Sequence, residues 1–159
     1  AGRWNSGWES NLGQLAGSFD LVYWNDVLEH VHPEDAPRYF EGLRTLLRPG
    51  GTLVTVTPNW HVRPSDITRR FCPPRTVAQG LHLREYTLRE LLVLLARCGF
   101  EKPRVPLWCT RRRSMLAGGG LIGLKRVCEP LLEYLPMRLA RIVAGGGGYY
   151  CVLASRKVH

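Results

Sequence analysis

Hydrophobic and polar positions fall in blocks along this chain, and the first blocks predict a strand, a helix and a second strand. Phe19-Asp20-Leu21-Val22-Tyr23-Trp24 is a short run of β-formers that ends in the polar Asn25-Asp26, as a buried parallel strand does when it delivers polar groups at its carboxyl end. Pro33 suits a first helical position, Glu34 and Asp35 suit the positive end of a helix dipole, and Tyr39, Phe40, Leu43, Leu46 and Leu47 recur at helical spacing. Arg48-Pro49-Gly50-Gly51 stops that helix, and Thr52 to Thr57 reads as the second strand, closed by Pro58-Asn59. Strand, helix and strand in this order make a βαβ crossover, which implies a parallel sheet covered by helices.

The polar segment from Asn59 to Tyr86 is too long for a simple connection and is expected to carry function. Thr87 and Glu90 form a capping box ahead of Leu88, Leu91, Leu92, Leu95 and Cys98, with Gly99 just past the helix end. Phe100 to Leu107 reads as a strand that Pro103 and Pro106 push towards a sheet edge. Residues 108–148 read as a helical insertion: an Arg run, a Gly-rich turn, then two helical pieces around Pro130 and Pro136. In it Leu131, Leu132, Leu135, Leu139, Ile142 and Val143 make a broad apolar face with Arg138 and Arg141 opposite. Such a face packs on a sheet or, flanked by Arg, lies on anionic lipid, which makes peripheral membrane contact through 114–144 a candidate. Gly145 to Gly148 reads as a helix stop and turn before a last strand at Tyr149 to Ala154. Residues 1–18 read as a loop or the remnant of a preceding element, so the chain divides into 1–18, 19–107, 108–148 and 149–159.

Composition narrows the class. With 159 residues, 45% hydrophobic and 22% charged, the chain is ordinary for a globular domain and excludes disorder. Ser114 to Leu124, its longest weakly polar stretch, falls far short of a membrane span, and no signal segment opens it, so a cytoplasmic protein is expected. Five cysteines without a C-x-x-C pair argue against both a disulfide framework and a zinc site and fit a reducing compartment. Charge is uneven: residues 1–60 hold 4 cations and 7 anions, whereas residues 61–159 hold 18 and 6, which points any anionic partner to the second half. No series of stacking aromatics interleaves the Arg clusters as a single-strand groove requires, which disfavours nucleic-acid binding.

Three blocks carry a family resemblance: F-D-L-V-Y-W-N-D-V-L-E-H-V from Phe19, L-L-R-P-G-G-T-L-V-T-V-T-P-N from Leu46, and H-L-R-E-Y-T-L-R-E-L-L from His82. In order and spacing they resemble the carboxyl-terminal part of a class I S-adenosylmethionine-dependent methyltransferase, of the type 11 and type 23 small-molecule kind. The resemblance implies an α/β, Rossmann-like, mostly parallel sheet with an antiparallel edge strand, the last strand at 149–154 being that reversed one. It also implies a Gly-rich loop after a first strand and an acidic residue after a second, and neither stands before Phe19. The chain is therefore expected to represent about two-thirds of such a domain, inactive by itself and dependent on the missing part for S-adenosylmethionine.

Candidate residues follow from strand ends and from the resemblance. Trp24, Asn25 and Asp26 close the first strand, the crevice position in an open α/β sheet, and the resemblance puts this loop by the cofactor's methionine portion. His30, beside Glu29, is the natural proton acceptor and the candidate catalytic residue. Asp26, Glu29 and His30 also resemble the ligand set of metal-assisted members of the family, which makes them weak metal candidates. Asn59, His61, Arg63, His82 and Tyr86, at the two ends of the long loop, are the candidate substrate-binding residues. The expected function is methyl transfer to a small molecule of the quinone, lipid or glycan-precursor type. The rival is a cofactor-free scaffold of the same fold that contacts RNA or another anionic partner through its basic half.

Overall fold

The computed structural model describes residues 13–109 and 114–157. Strand β1 (Phe19–Asn25) leads through a 3₁₀ turn at Leu28–His30 into helix α1 (Ala36–Leu46), and the chain returns as β2 (Leu47–Val56). β1 and β2 lie side by side and parallel, from Leu21 opposite Thr52 to Asn25 opposite Val56, so the predicted crossover forms and both carboxyl ends emerge at one edge. Its helix starts later than Pro33 suggests, with Pro37 in the first turn. β2 starts earlier than expected, because Leu47 already pairs with Phe19. Gly51 is required there, since a Cβ would come within 2.9 Å of the Arg48 carbonyl and 3.1 Å of the Phe19 carbonyl.

Helix α2 (Leu88–Arg97) carries the predicted capping box, with the Thr87 and Glu90 side chains each bonding the other's backbone amide. Gly99, at φ +81°, takes the left-handed position that ends it. β3 (Phe100–Cys109), β4 (Ser114–Ala117) and β5 (Cys151–Arg156) complete a five-stranded sheet in the order β1-β2-β5-β3-β4. β5 is antiparallel to both β2 and β3, as the resemblance implies for the reversed strand. It is not at the edge, however; it fills the interior between them, and β1, β2 and β3 run in a common direction.

The prolines did not push β3 to the edge either. Pro103 sits in the irregularity between the pairs Glu101–Ser155 and Arg104–Leu153, where a ladder amide is dispensable, and β4 covers the far side of the strand. β4 was not foreseen: the 108–148 segment is not wholly helical but opens by completing a hairpin with β3. It continues through α3 (Gly120–Cys128), a 3₁₀ stretch at Glu129–Tyr134 and α4 (Met137–Gly146).

The main core joins α1 and α2 to the sheet through Trp24, Phe40, Leu53, Leu91, Leu95, Phe100 and Val152. Phe40 sits edge-on to Trp24 at 5.0 Å and to Phe100 at 6.3 Å. A smaller cluster of Val62, Leu132, Ala140 and Ala144 packs the late helices on the long loop. Two buried charges fasten these helices. Lys125 donates to the carbonyls of Pro106, at 2.5 Å, and Gly147 and lies over the Tyr149 ring, and burial brings its ammonium down to about 8. Glu129 accepts from Asn59 Nδ2 and from the first amide of α2, Leu88 N, each at 2.6 Å. Replacing it strands two buried donors, so Glu129→Ala should lower the unfolding free energy by about 3 kcal/mol in urea titrations.

Candidate active site at the carboxyl edge of the parallel strands

A cavity of about 540 Å³ opens where β1 and β2 end. Asn25 and Asp26 form its floor on one side and Val56, Thr57 and Pro58 on the other. Asp26 holds a left-handed backbone at φ 51°, its amide bonded to the Val56 carbonyl at 3.0 Å and its carboxylate accepting from Asn25 Nδ2 at 2.7 Å. The long 59–86 segment supplies Ser65, Arg69 and His82 to the wall, α4 supplies Arg141, and Tyr150 precedes β5. The Arg69 guanidinium has no side-chain partner among the described residues, whereas Arg141 donates to the Pro64 carbonyl at 3.0 Å.

Three side chains converge within it. Glu29 is buried, accepts from the Thr57 hydroxyl at 3.0 Å, and stands 4.0 Å from His30 Nε2. Burial pushes the Glu29 carboxyl above its ordinary range, against the hydrogen bonds it accepts. His30 Nδ1 lies 3.0 Å from the Leu81 carbonyl; since a carbonyl only accepts, the neutral ring carries its proton on Nδ1 and keeps a lone pair on Nε2. The His82 ring meets it edge-on at 5.0 Å, and His82 Nδ1 is bound by the buried Glu85 carboxylate at 2.8 Å. Ligand atoms of Glu29, His30 and His82 all lie within 4.8 Å of one another.

Asp66 holds this arrangement. Its carboxylate, buried at the start of a 3₁₀ turn, accepts from Thr68 N at 3.0 Å, Gly80 N at 3.0 Å, Leu81 N at 2.8 Å and His82 N at 3.4 Å. Burial raises its pKa, but these donors outweigh it and bring the group down to about 2. The Leu81 carbonyl that orients His30 is thereby tied to the far end of the same loop.

The expected site residues divide. Asn25, Asp26, His30 and His82 line the cavity. The Trp24 side chain does not: it is buried against Phe40 and Tyr39. Of the expected substrate residues, Asn59 is buried and bonded to Glu129 and the Tyr149 carbonyl. His61 and Arg63 reach Glu133 at 3.1 and 2.7 Å, and Arg63 also stacks on Trp60. Tyr86 is buried, its backbone bridged to Asn59. Asn59, His61 and Arg63 tie the loop to the late helices, and none of the four lines the cavity. Asp26 is outside the converging trio, and His82 stands where the metal expectation put Asp26. Thr57, Ser65, Arg69, Arg141 and Tyr150 went unrecognised; only Thr57, at a strand's carboxyl end, carried a usable signal.

A methyltransferase domain family model matches residues 5–103, well over half of the chain, and the chain belongs to that family. Among solved structures it is similar to an S-adenosylmethionine-dependent methyltransferase of Thermotoga maritima described as a possible histamine N-methyltransferase. That likeness has TM-score 0.51 and 17% identity over 90% of this chain and 57% of that one. A Methanosarcina mazei methyltransferase shows TM-score 0.49 and 18% identity, with 91% and 62% covered. For the Burkholderia thailandensis 1,6-didemethyltoxoflavin-N1-methyltransferase, bound to its substrate and S-adenosylhomocysteine, the values are 0.47, 21%, 92% and 48%. The chain thus spans about three-fifths of the length of the first two. No curated protein matches it by sequence.

Because the folded pKa of Asp66 lies below the ordinary aspartate value of 3.8, its stabilisation is complete above pH 3.8 and is lost as pH falls through about 2. Asp66→Asn should remove at most about 2 kcal/mol of stability at pH 7 and flatten that acid limb. In long-range ¹H–¹⁵N spectra the neutral His30 of the unsubstituted protein should show the Nδ1-H tautomer, and Asp66→Asn should shift it towards Nε2-H.

Proposed function

We propose that this domain serves S-adenosylmethionine-dependent methyl transfer to a small hydroxyl- or carboxyl-bearing molecule, with His30 as proton acceptor. The observation that carries the reading is a histidine at the carboxyl edge of a parallel strand pair, its Nδ1 pinned to a carbonyl and its Nε2 left basic. The cofactor, when bound, supplies a methyl group on a positively charged sulfur. The polar Asn25 and Asp26 at the strand end suit one end of such a molecule, and the described residues offer no glycine-rich cradle for the rest.

The chain's own residues do the remainder. His30 Nε2 takes the proton of an acceptor hydroxyl, and the adjacent Glu29 carboxylate favours the imidazolium that results. Arg69, whose guanidinium has no side-chain partner among the described residues, offers it to a carboxylate or other anionic group on the acceptor. A carboxylate acceptor needs no base, so dependence on His30 distinguishes hydroxyl from carboxyl chemistry. Titration calorimetry on the full-length gene product should show binding of S-adenosylmethionine and S-adenosylhomocysteine; absence of both overturns the reading and leaves the scaffold alternative. For a hydroxyl acceptor, His30→Ala should lower kcat by about 10²–10⁴-fold. Unchanged turnover removes His30 from the mechanism.

A second reading rests on the convergence of Glu29, His30 and His82. Two imidazoles and a carboxylate, each imidazole oriented through Nδ1, suit a divalent first-row cation with open positions for hydroxyl oxygens. On that reading the protein binds Zn²⁺ or Mn²⁺ in calorimetry and His82→Ala abolishes the binding. Full activity after exhaustive chelation excludes it.

A further inference from the structure

The apolar face of the late helices was expected either to pack on the sheet or to lie on anionic lipid; of its residues Leu132 is buried, whereas Leu131, Leu139, Ile142 and Val143 are exposed. In α3 the inward residues are Ile122 and Lys125, followed by Glu129. Leu121, Leu124 and Val127 face solvent at 44%, 58% and 75% exposure, and Leu131 follows at 58%. Spacings of three, three and four put them in one stripe. The 3₁₀ stretch adds Tyr134 at 84%, and in α4 the small Ala140 and Ala144 turn inward while Leu139, Ile142 and Val143 turn out. Single exposed apolar residues are ordinary, but three consecutive helical pieces presenting them are not.

The charges on these pieces are sorted too. Residues 114–157 contain two carboxylates, Glu129 and Glu133. Glu129 is buried against Asn59 and Leu88, and Glu133 turns to His61, Arg63 and Arg75. Burial raises the Glu133 pKa, but the hydrogen bonds from Arg63 and His61 outweigh it and hold the carboxyl ionised below its ordinary value. Arg126 and Arg138 are exposed, neither with a side-chain partner among the described residues, and Arg138 is one turn before Ile142. The outward face therefore combines large apolar side chains with cations and presents no free carboxylate. No helix among the described residues is long and apolar enough to cross a membrane.

We propose that α3, the Glu129–Tyr134 turn and α4 form an interfacial docking face for an anionic lipid surface, with the apolar side chains entering the headgroup boundary and Arg126 and Arg138 meeting the lipid charges. The proposal is independent of the methyl-transfer reading. α4 also carries Arg141 to the rim of the active-site cavity, so docking holds that rim close to the lipid surface.

Vesicle flotation with the full chain tests it, comparing phosphatidylcholine alone with phosphatidylcholine containing phosphatidylglycerol. Binding should be confined to the mixed vesicles and weaken with added salt. The Arg126→Glu/Arg138→Glu pair should reduce partitioning by roughly tenfold or more. Leu124→Glu/Val127→Glu should abolish it, with circular dichroism confirming that each variant is folded; all four side chains are exposed. Equal flotation on both vesicle types, or none on either, overturns the proposal. So does a concentration-dependent dimer in sedimentation velocity that Leu124→Glu dissolves, because the face would then belong to a second copy of the chain.

Discussion

The carboxylate of Asp66 is the constraint on which the candidate site depends. The 31-residue segment between β2 and α2 pairs with no strand of the sheet, so its amides must find partners in short turns, in the Asn59–Tyr86 bridge and in side chains. One buried side chain gathers amides from both ends of a 16-residue excursion, from Thr68 on one side and from Gly80, Leu81 and His82 on the other. Charge-assisted bonds of this kind are stronger than neutral ones, and here they also transmit geometry. The Leu81 amide is held by Asp66, the Leu81 carbonyl orients His30, and the next residue, His82, faces His30 across the cavity.

The same logic extends to three more acidic groups of the basic half. Glu85 orients His82 and holds the Ser65 amide, Glu129 bonds Asn59 and caps α2, and Glu133 collects His61, Arg63 and Arg75. Each joins segments distant in sequence, so the late helices and the long loop behave as one cover over the strand ends. A buried carboxylate must find donors, and turning these acids inward leaves the outer surface to Arg. The internal architecture of the cover thus sets the positive sign of its exterior.

Local chemistry was legible in the residue order. The βαβ unit follows from period-2 and period-3.6 patterns within about 40 residues, the capping box from Thr87 and Glu90, the stop from Gly99, and the polar strand end at Asn25-Asp26 from the abrupt end of a hydrophobic run. In each case the partners are near neighbours, so covalent spacing already specifies the contact. His30 was singled out on a similarly local basis, as a histidine just beyond a strand end with Glu29 beside it, and it lines the cavity.

Tertiary structure decided what spacing could not. Nothing in Asn59 distinguishes an amide that reaches a substrate from one that bonds a carboxylate 70 residues later, and only the packing of the Glu129–Tyr134 turn on the loop settles it. β5 lies in the interior of the sheet, and β4 pairs outside β3, because strand order is fixed by which neighbour offers a free ladder and not by chain order. Helices whose apolar residues are not confined to one side show equally little of which side will be covered: the fold buries Ile122 and Ala140 and leaves Val127 and Ile142 in water. The sequence determined the elements and their end chemistry because those are short-range. Placement of the site walls and of the outward apolar face came only from contacts between segments far apart along the chain.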